Sequence, residues 1–200
     1  MVFERCAVVI APDLAYVFWH WPRPGVPAGA YRRKLASFQS SLRATRPDLV
    51  ADLLSYRVGS LPWGPGDSPL YEDWYLIRDF SALGSLNEAA VTDGTRRFHD
   101  SVAGDYLKGA GGVFRRVLGS IPLREARYAT WIEKTVGTPY QTYYEEVKEV
   151  LREAESDLWR RQMVLGPSPQ FCVHSTEPLD FPENFRPFGA KVRAVVAPAP

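Results

Sequence analysis

The sequence predicts an α+β fold in which a β-α-β-β-α-β unit occurs twice, with antiparallel sheets and an abbreviated second copy. Three observations carry this. At an offset of 112, Tyr16, Trp19, Gly25, Pro27 and Tyr31 coincide with Tyr128, Trp131, Gly137, Pro139 and Tyr143. Five identities in sixteen positions exceed the roughly one that average residue usage gives. In both copies an aromatic, β-rich run precedes apolar residues spaced by three and four. In both, Pro-Gly-rich turns then separate two further apolar runs.

The elements follow in order. Tyr16-Val17-Phe18-Trp19 reads as a strand, Gly25 as the turn, and Pro27 as a helix start, where a missing N–H costs nothing. Tyr31, Leu35, Phe38 and Leu42 form one helical stripe among Arg32, Arg33, Lys34 and Arg43, an amphipathic pattern that lays on a sheet. A strand is expected over 51–58, a turn over 61–66 and a strand over 71–80. Helical material is expected over 81–90 and 96–108, then a strand near 113–118. Gly109-Ala110-Gly111-Gly112 precedes that strand and not a helix, which removes the helix N-terminus a phosphate loop needs. A tight turn is the reading for it.

The second copy repeats the start. Tyr128-Ala129-Thr130-Trp131 is the strand, and Thr138 is an N-cap candidate before Pro139. Tyr143, Val147, Val150 and Leu151 form the helical stripe. Strands are expected over 159–165, 170–175 and 190–196, with Pro178, Pro182 and Pro187 interrupting the last part. The division is 1–120 and 121–200, two repeats in one compact unit. This order is the split βαβ, or ferredoxin-like, arrangement, with helices on one face of an antiparallel sheet.

Composition bounds the function. Hydrophobic residues make up 46% and charged residues 24%, the balance of a globular chain with a real core. The net charge of +1 gives no reason to expect a nucleic-acid partner. No apolar run approaches the roughly 20 residues of a membrane span, and the charged N-terminus does not read as a signal peptide. Cys6 and Cys172 lie far apart, and no His-x-His or Cys-x-x-Cys spacing points to a metal. A cytoplasmic, reduced chain without metal, cofactor, nucleic-acid or membrane partner is the expectation.

The tandem layout, together with the segment Tyr71-Glu72-Asp73-Trp74-Tyr75-Leu76-Ile77-Arg78-Asp79-Phe80 leading through Ala82-Leu83 into a helix, resembles the dimeric α+β barrel superfamily. In that group ferredoxin-like units pair sheet to sheet, between chains or between fused repeats. The resemblance is one of architecture over most of the chain and carries over no catalytic signature. It implies a range that includes cofactor-free monooxygenases, isomerase-like and decarboxylase-like enzymes and haem-binding chlorite-dismutase relatives.

Strand alternation selects candidate residues. Trp19 and Trp131 share a face through the repeat, and Trp74 sits on a strand with Arg78. Polar groups within apolar strands mark a pocket, because burying them unpaired is costly. His20, between Trp19 and Trp21, is the candidate general base, against the plainer reading of a structural strand-end histidine. Arg78 is a candidate catalytic contact for a carboxylate, against a structural pair with Asp79. Tyr31, Tyr143, Arg160 and Gln162, with Trp19, Trp74 and Trp131, are candidate ligand contacts. His99, beside Arg96, Arg97 and Asp100, reads as a solvated helix face unless it ligates haem, as helix-borne histidines do in the chlorite-dismutase relatives.

The expectation is a small hydrophobic or aromatic ligand in an aromatic-lined pocket between sheet and helices, with monooxygenase- or isomerase-like chemistry implied by the resemblance. The alternatives are a non-catalytic self-associating protein, a homodimer across exposed sheet faces, or haem binding through His99 or His20.

Overall fold

A computed structural model describes residues 12–65, 70–92, 94–162 and 166–196. Cys6, Gly66 and the 163–165 end of the expected sixth strand lie outside the described residues. The order is β1 (Leu14–Pro22), α1 (Ala28–Thr45), β2 (Val50–Val58), β3 (Leu70–Ile77), α2 (Phe80–Ala90), α3 (Arg96–Ala103) and β4 (Tyr106–Gly119), then β5 (Tyr128–Ile132), α4 (Tyr140–Leu151), β6 (Ser156–Arg161), β7 (Phe171–Ser175), β8 (Phe188–Lys191) and β9 (Arg193–Val196). Short 3-10 turns occupy Leu123–Glu125 and Glu183–Phe185.

The nine strands form one antiparallel sheet in the order β8-β5-β7-β6-β4-β1-β3-β2-β9. The arrangement β4-β1-β3-β2 reappears as β8-β5-β7-β6. The two runs are joined by β4 against β6, Phe114 opposite Arg161. At the far side β9 pairs with β2, Arg193 opposite Arg57. Only Val192 separates β8 from β9, so the strand that ends one edge of the sheet continues into the other. The sheet is thereby nearly closed, which leaves little free edge.

Closure gives the sheet an inside and an outside, and the pleat assigns alternate residues to each. All six Trp of the chain belong to the inner cluster: Trp19, Trp21, Trp74, Trp131 and Trp159 are fully buried there, and Trp63 packs against them. Trp19 and Trp131 meet edge to face with ring centroids 5.5 Å apart, a favoured aromatic geometry. Inside the same cluster Glu72 Oε2 accepts the Trp19 indole N–H at 2.6 Å, and Oε1 accepts that of Trp74 at 2.6 Å. Burial pushes the Glu72 carboxyl up, against the pull of the Trp74 bond, nearby His174 and the Trp19 bond. Asp157 and His174, directly opposite on β6 and β7 and both fully buried, lie at ion-pair distance, 3.4 Å, without hydrogen-bond geometry.

The helices cover the outer face. The stripe Tyr31, Leu35, Phe38 and Leu42 of α1 packs with Tyr71, Tyr75 and Ile77 of β3 and with α2 residues Ala82 and Leu86. Tyr143, Val147 and Leu151 of α4 pack on Leu158, Phe171 and Val173, joined by Phe181 and Phe185.

Four local expectations are corrected. The helix expected to reach 108 ends at Ala103, and β4 starts at Tyr106. The stretch Gly109–Gly112 is therefore strand and not turn: β4 pairs with β1 throughout it, Gly109 opposite His20 and Gly111 opposite Phe18. Thr138 makes no cap bond; Pro139 occupies the N-cap position of α4, and the Thr138 carbonyl accepts from Lys134 Nζ at 2.7 Å. The sixth strand begins at Ser156 rather than 159, and the last strand is split at Val192.

Two predictions arise here. Gly119 has φ +64, and a Cβ there would stand 2.1 Å from the Ser156 carbonyl oxygen, whereas Gly25, at φ +86, has open space around it. Gly119→Ala should cost about 2–4 kcal/mol in urea unfolding, and Gly25→Ala about 1–2 kcal/mol. Glu72→Gln leaves one indole N–H without an acceptor and should cost about 1–3 kcal/mol near pH 4. A raised folded pKa means that stability from Glu72 is complete below its unfolded value of about 4.5 and is lost as pH rises through the folded value. The deficit of the Gln variant should therefore shrink between pH 4.5 and pH 7; a deficit that grows with pH contradicts this assignment.

Candidate functional site

On the outer face β1 presents Tyr16, Phe18 and His20, β3 presents Tyr71, Asp73 and Tyr75, and β4 presents Tyr106. Two glycines of β4 make room for the rings of β1. A Cβ at Gly109 would lie 2.7 Å from Phe18 Cζ, and one at Gly111 would lie 2.7 Å from Tyr16 Oη. Above this floor α1, α2 and α3 leave a cavity of about 540 Å³. Tyr16, Phe18, Tyr75 and Tyr106 line it from the sheet, Phe38 and Leu42 from α1, Phe80, Leu83, Leu86 and Asn87 from α2, and His99 from α3. A space of this size, apolar with a few polar groups, suits a small organic ligand.

A buried polar network underlies the floor. His20 Nδ1 is hydrogen-bonded to the Tyr31 hydroxyl, and His20 Nε2 lies 3.2 Å from Asp73 Oδ2, off good hydrogen-bond geometry. Asp73 Oδ1 accepts from the Ser55 hydroxyl, which itself accepts from Gln39 Nε2 at 2.6 Å. The Tyr75 hydroxyl donates to Asp73 Oδ2 at 3.2 Å. Every member of this chain is buried. Its electrostatic effect reaches the cavity: burial first, and then the Asp73 charge, push the phenols of Tyr16, Tyr75 and Tyr106 up. All three hydroxyls stay protonated around neutral pH; Tyr75 gives its proton to Asp73, which leaves those of Tyr16 and Tyr106 as donors toward the cavity.

His99 is the one imidazole on the cavity lining. Its Nδ1 lies 3.0 Å from Asp100 Oδ1, and its ring meets Phe38 edge on at 5.7 Å. With the proton on Nδ1 facing the carboxylate, Nε2 is left as the acceptor, an arrangement that serves a general base.

The residues selected from sequence scatter over this frame. His20 and Tyr31 come together directly beneath the cavity floor, with His20 stacked on Phe18 at 5.4 Å and tilted against Tyr106 at 5.1 Å. Trp19, Trp74 and Trp131 lie inside the barrel, on the face opposite the cavity. Arg78 is exposed beyond β3 and donates to the Asp48 carbonyl at 2.7 Å, while Asp79 caps α2 through the Ala82 amide. Tyr143 packs under α4 against Phe171 at 4.6 Å. Arg160 donates to the Tyr144 hydroxyl at 3.2 Å and covers the Tyr140 ring, and Gln162 donates to the Arg160 carbonyl. The lining residues missing from that selection include Tyr16, Tyr75, Tyr106 and Asn87, while His99 was singled out only as a haem ligand. Those on β1 and β3 have the parity opposite to the tryptophans, and helices cover only that face.

Among the described residues no group of three His, Cys, Asp or Glu is placed to hold a metal ion. Haem needs an axial ligand and cations for two propionates. Both His20 ring nitrogens face Tyr31 and Asp73, which leaves His99 as the one imidazole on the lining for an axial ligand, and among the described residues no Lys or Arg lines the cavity to hold the propionates, so the lining does not fit haem.

No protein-family profile matches the sequence, and no curated protein does. Solved structures match on fold. A candidate monooxygenase from Lactobacillus acidophilus NCFM shares 9% identity with a TM-score of 0.55, covering 92% of this chain and 95% of its own. A candidate monooxygenase from Fusobacterium nucleatum shares 7% identity with a TM-score of 0.57, covering 93% and 94%. Identities this low speak for architecture alone. With its nearly closed antiparallel sheet and outer helices, the chain has the dimeric α+β barrel fold built on ferredoxin-like units.

Proposed function

We propose that this protein binds a small, uncharged, planar organic molecule bearing hydrogen-bond acceptors in the cavity beneath α2, and oxygenates it without a cofactor. The observation that carries the reading is the lining: aromatic walls, the phenol donors of Tyr16 and Tyr106 and the His99–Asp100 pair, with no Lys or Arg among the described lining residues. Phenols that stay protonated bind carbonyl or phenolic oxygens. The negative field of Asp73 beneath them disfavours an anionic ligand. His99 Nε2 removes a proton from an acidified methylene of the ligand, and the electrons for O2 reduction come from the ligand. One oxygen atom ends as the new carbonyl and the other leaves as water, so CH2 plus O2 gives C=O plus H2O. His20, Asp73 and Tyr31 position the floor. The fold shared with candidate monooxygenases agrees with this chemistry. The covered faces of the sheet, indoles within and helices without, favour it over self-association through bare strands.

Gly84 lines the cavity and has open space around it, which makes it the place to block the site from a helix that stays intact. Binding of 1-naphthol, followed by calorimetry, should be saturable in the wild-type protein and at least tenfold weaker in Gly84→Trp. His99→Ala should keep naphthol binding within a fewfold and lose most oxygen uptake with an anthrone-type substrate. Naphthol binding unchanged by Gly84→Trp, or oxygen uptake unchanged by His99→Ala, overturns the corresponding half of the proposal.

A further inference from the structure

At the seam where the barrel closes, the end of β2, the 3-10 turn before β5 and the β8–β9 strand enclose an open groove of about 740 Å³. It shares no lining residue with the cavity under α2. Among the described residues, five of the nine that line it are cations, Arg57, Arg124, Arg127, Lys191 and Arg193, and none is acidic. In a chain with a net charge of only +1, this is a concentrated positive field.

Strand parity shows how the charges converge. Val192 is buried in the inner cluster, so its neighbours Lys191 and Arg193 both project outward. Tyr56 and Val58 are buried in the same cluster, so Arg57 between them projects outward as well. Arg57 stands directly opposite Arg193 in the β2–β9 pairing. Like charges in that position disfavour the sheet. Among the described residues none of Arg57, Lys191 and Arg193 has a hydrogen bond or ion pair of its own side chain. The other two cations are held in place. Arg127 donates to the carbonyls of Arg124 and Ala126 at 2.8 and 3.2 Å, and Arg124 lies 3.9 Å from Asp52. Tyr56 donates to the Leu123 carbonyl and so pins the turn that carries Arg124 beside β2.

We infer that this groove binds a phosphate-bearing anion with at least two negative charges. Closure of the barrel does not need these five charges together, and the Arg57–Arg193 opposition works against it. Four of the five are Arg, whose planar fork donates two parallel bonds to a phosphate. An anion between the strands would turn the repulsion into attraction on both sides.

The test is calorimetric titration with inorganic pyrophosphate at low and moderate salt, beside sedimentation with vesicles containing phosphatidic acid. Both use the full chain and the double variant Arg57→Ala/Arg193→Ala. Saturable pyrophosphate binding that weakens at least tenfold in the double variant supports a site for a soluble phosphate. Vesicle binding alone, lost in the same variant, supports the same site with a lipid headgroup as the source. The thermal midpoint of the unliganded double variant should be equal to or higher than that of the wild type, because the repulsion is gone. No binding to either probe at millimolar concentration, or binding that the double variant retains, overturns the inference. So does a double variant that binds weakly and also unfolds at a lower temperature, since the two arginines would then be structural.

Discussion

Glu72 accepts two indole N–H groups inside the barrel, and the next residue, Asp73, faces the other way into the network beneath the helices. Two adjacent carboxylates are thus buried on opposite faces of one strand, each with its own set of partners. A slip of β3 by one residue would exchange them and leave both without partners, at a cost of several kcal/mol for each buried charge. The register of β3 between β1 and β2 is therefore strongly specified. With it goes the assignment of every neighbouring aromatic: Trp19 and Trp74 inward, Tyr16, Phe18 and Tyr75 outward.

That assignment separates structure from function. The inner face spends the chain's tryptophans on a filled, edge-to-face core that keeps the nearly closed sheet in shape. The outer face keeps smaller rings with hydroxyls, and the glycines of β4 let them lie close to the strand. Asp73 links the two roles. Its carboxylate accepts from the Ser55 and Tyr75 hydroxyls and lies beside His20, and its charge adds to burial in raising the phenols at the cavity floor. The polarity of the cavity floor is thus set by the same strand that carries Glu72 into the core.

Much of the architecture was legible in the sequence because it rests on local rules. The 112-residue offset, the stripe from Tyr31 to Leu42 and Pro27 before the first helix place β1, α1, β5 and α4 within a few residues of where they occur. The glycines at 109, 111 and 112 were not legible as strand. For Gly109 and Gly111 the reason is non-local: Phe18 and Tyr16 on the neighbouring strand fill the space their side chains would take, while at Gly112 the tight neighbour is Phe114 of the same strand. The shared face of Trp19 and Trp131 was legible from parity, but parity cannot say which face is roofed by helices. The sequence draws attention to the large indoles, and the cavity lies on the other face. His20 stands out as a polar residue in an apolar strand, and its place beneath the cavity fits that signal. His99 looks like a solvated residue because its ring partner, Phe38, comes from the distant helix α1.

The central claim is that the two faces of β1 and β3 have separate duties, a sealed core within and a ligand cavity without. The most direct test follows the six indole N–H signals in a 15N-correlated NMR spectrum during titration with 1-naphthol, alongside the His99 and tyrosine ring signals. The account predicts that the Trp19 and Trp74 signals resist solvent exchange and stay within a linewidth of their starting positions while the His99, Tyr16 and Tyr106 rings shift. Naphthol that moves the Trp19 or Trp74 indole first, with His99 and the tyrosines unchanged, would place the ligand inside the barrel and contradict it.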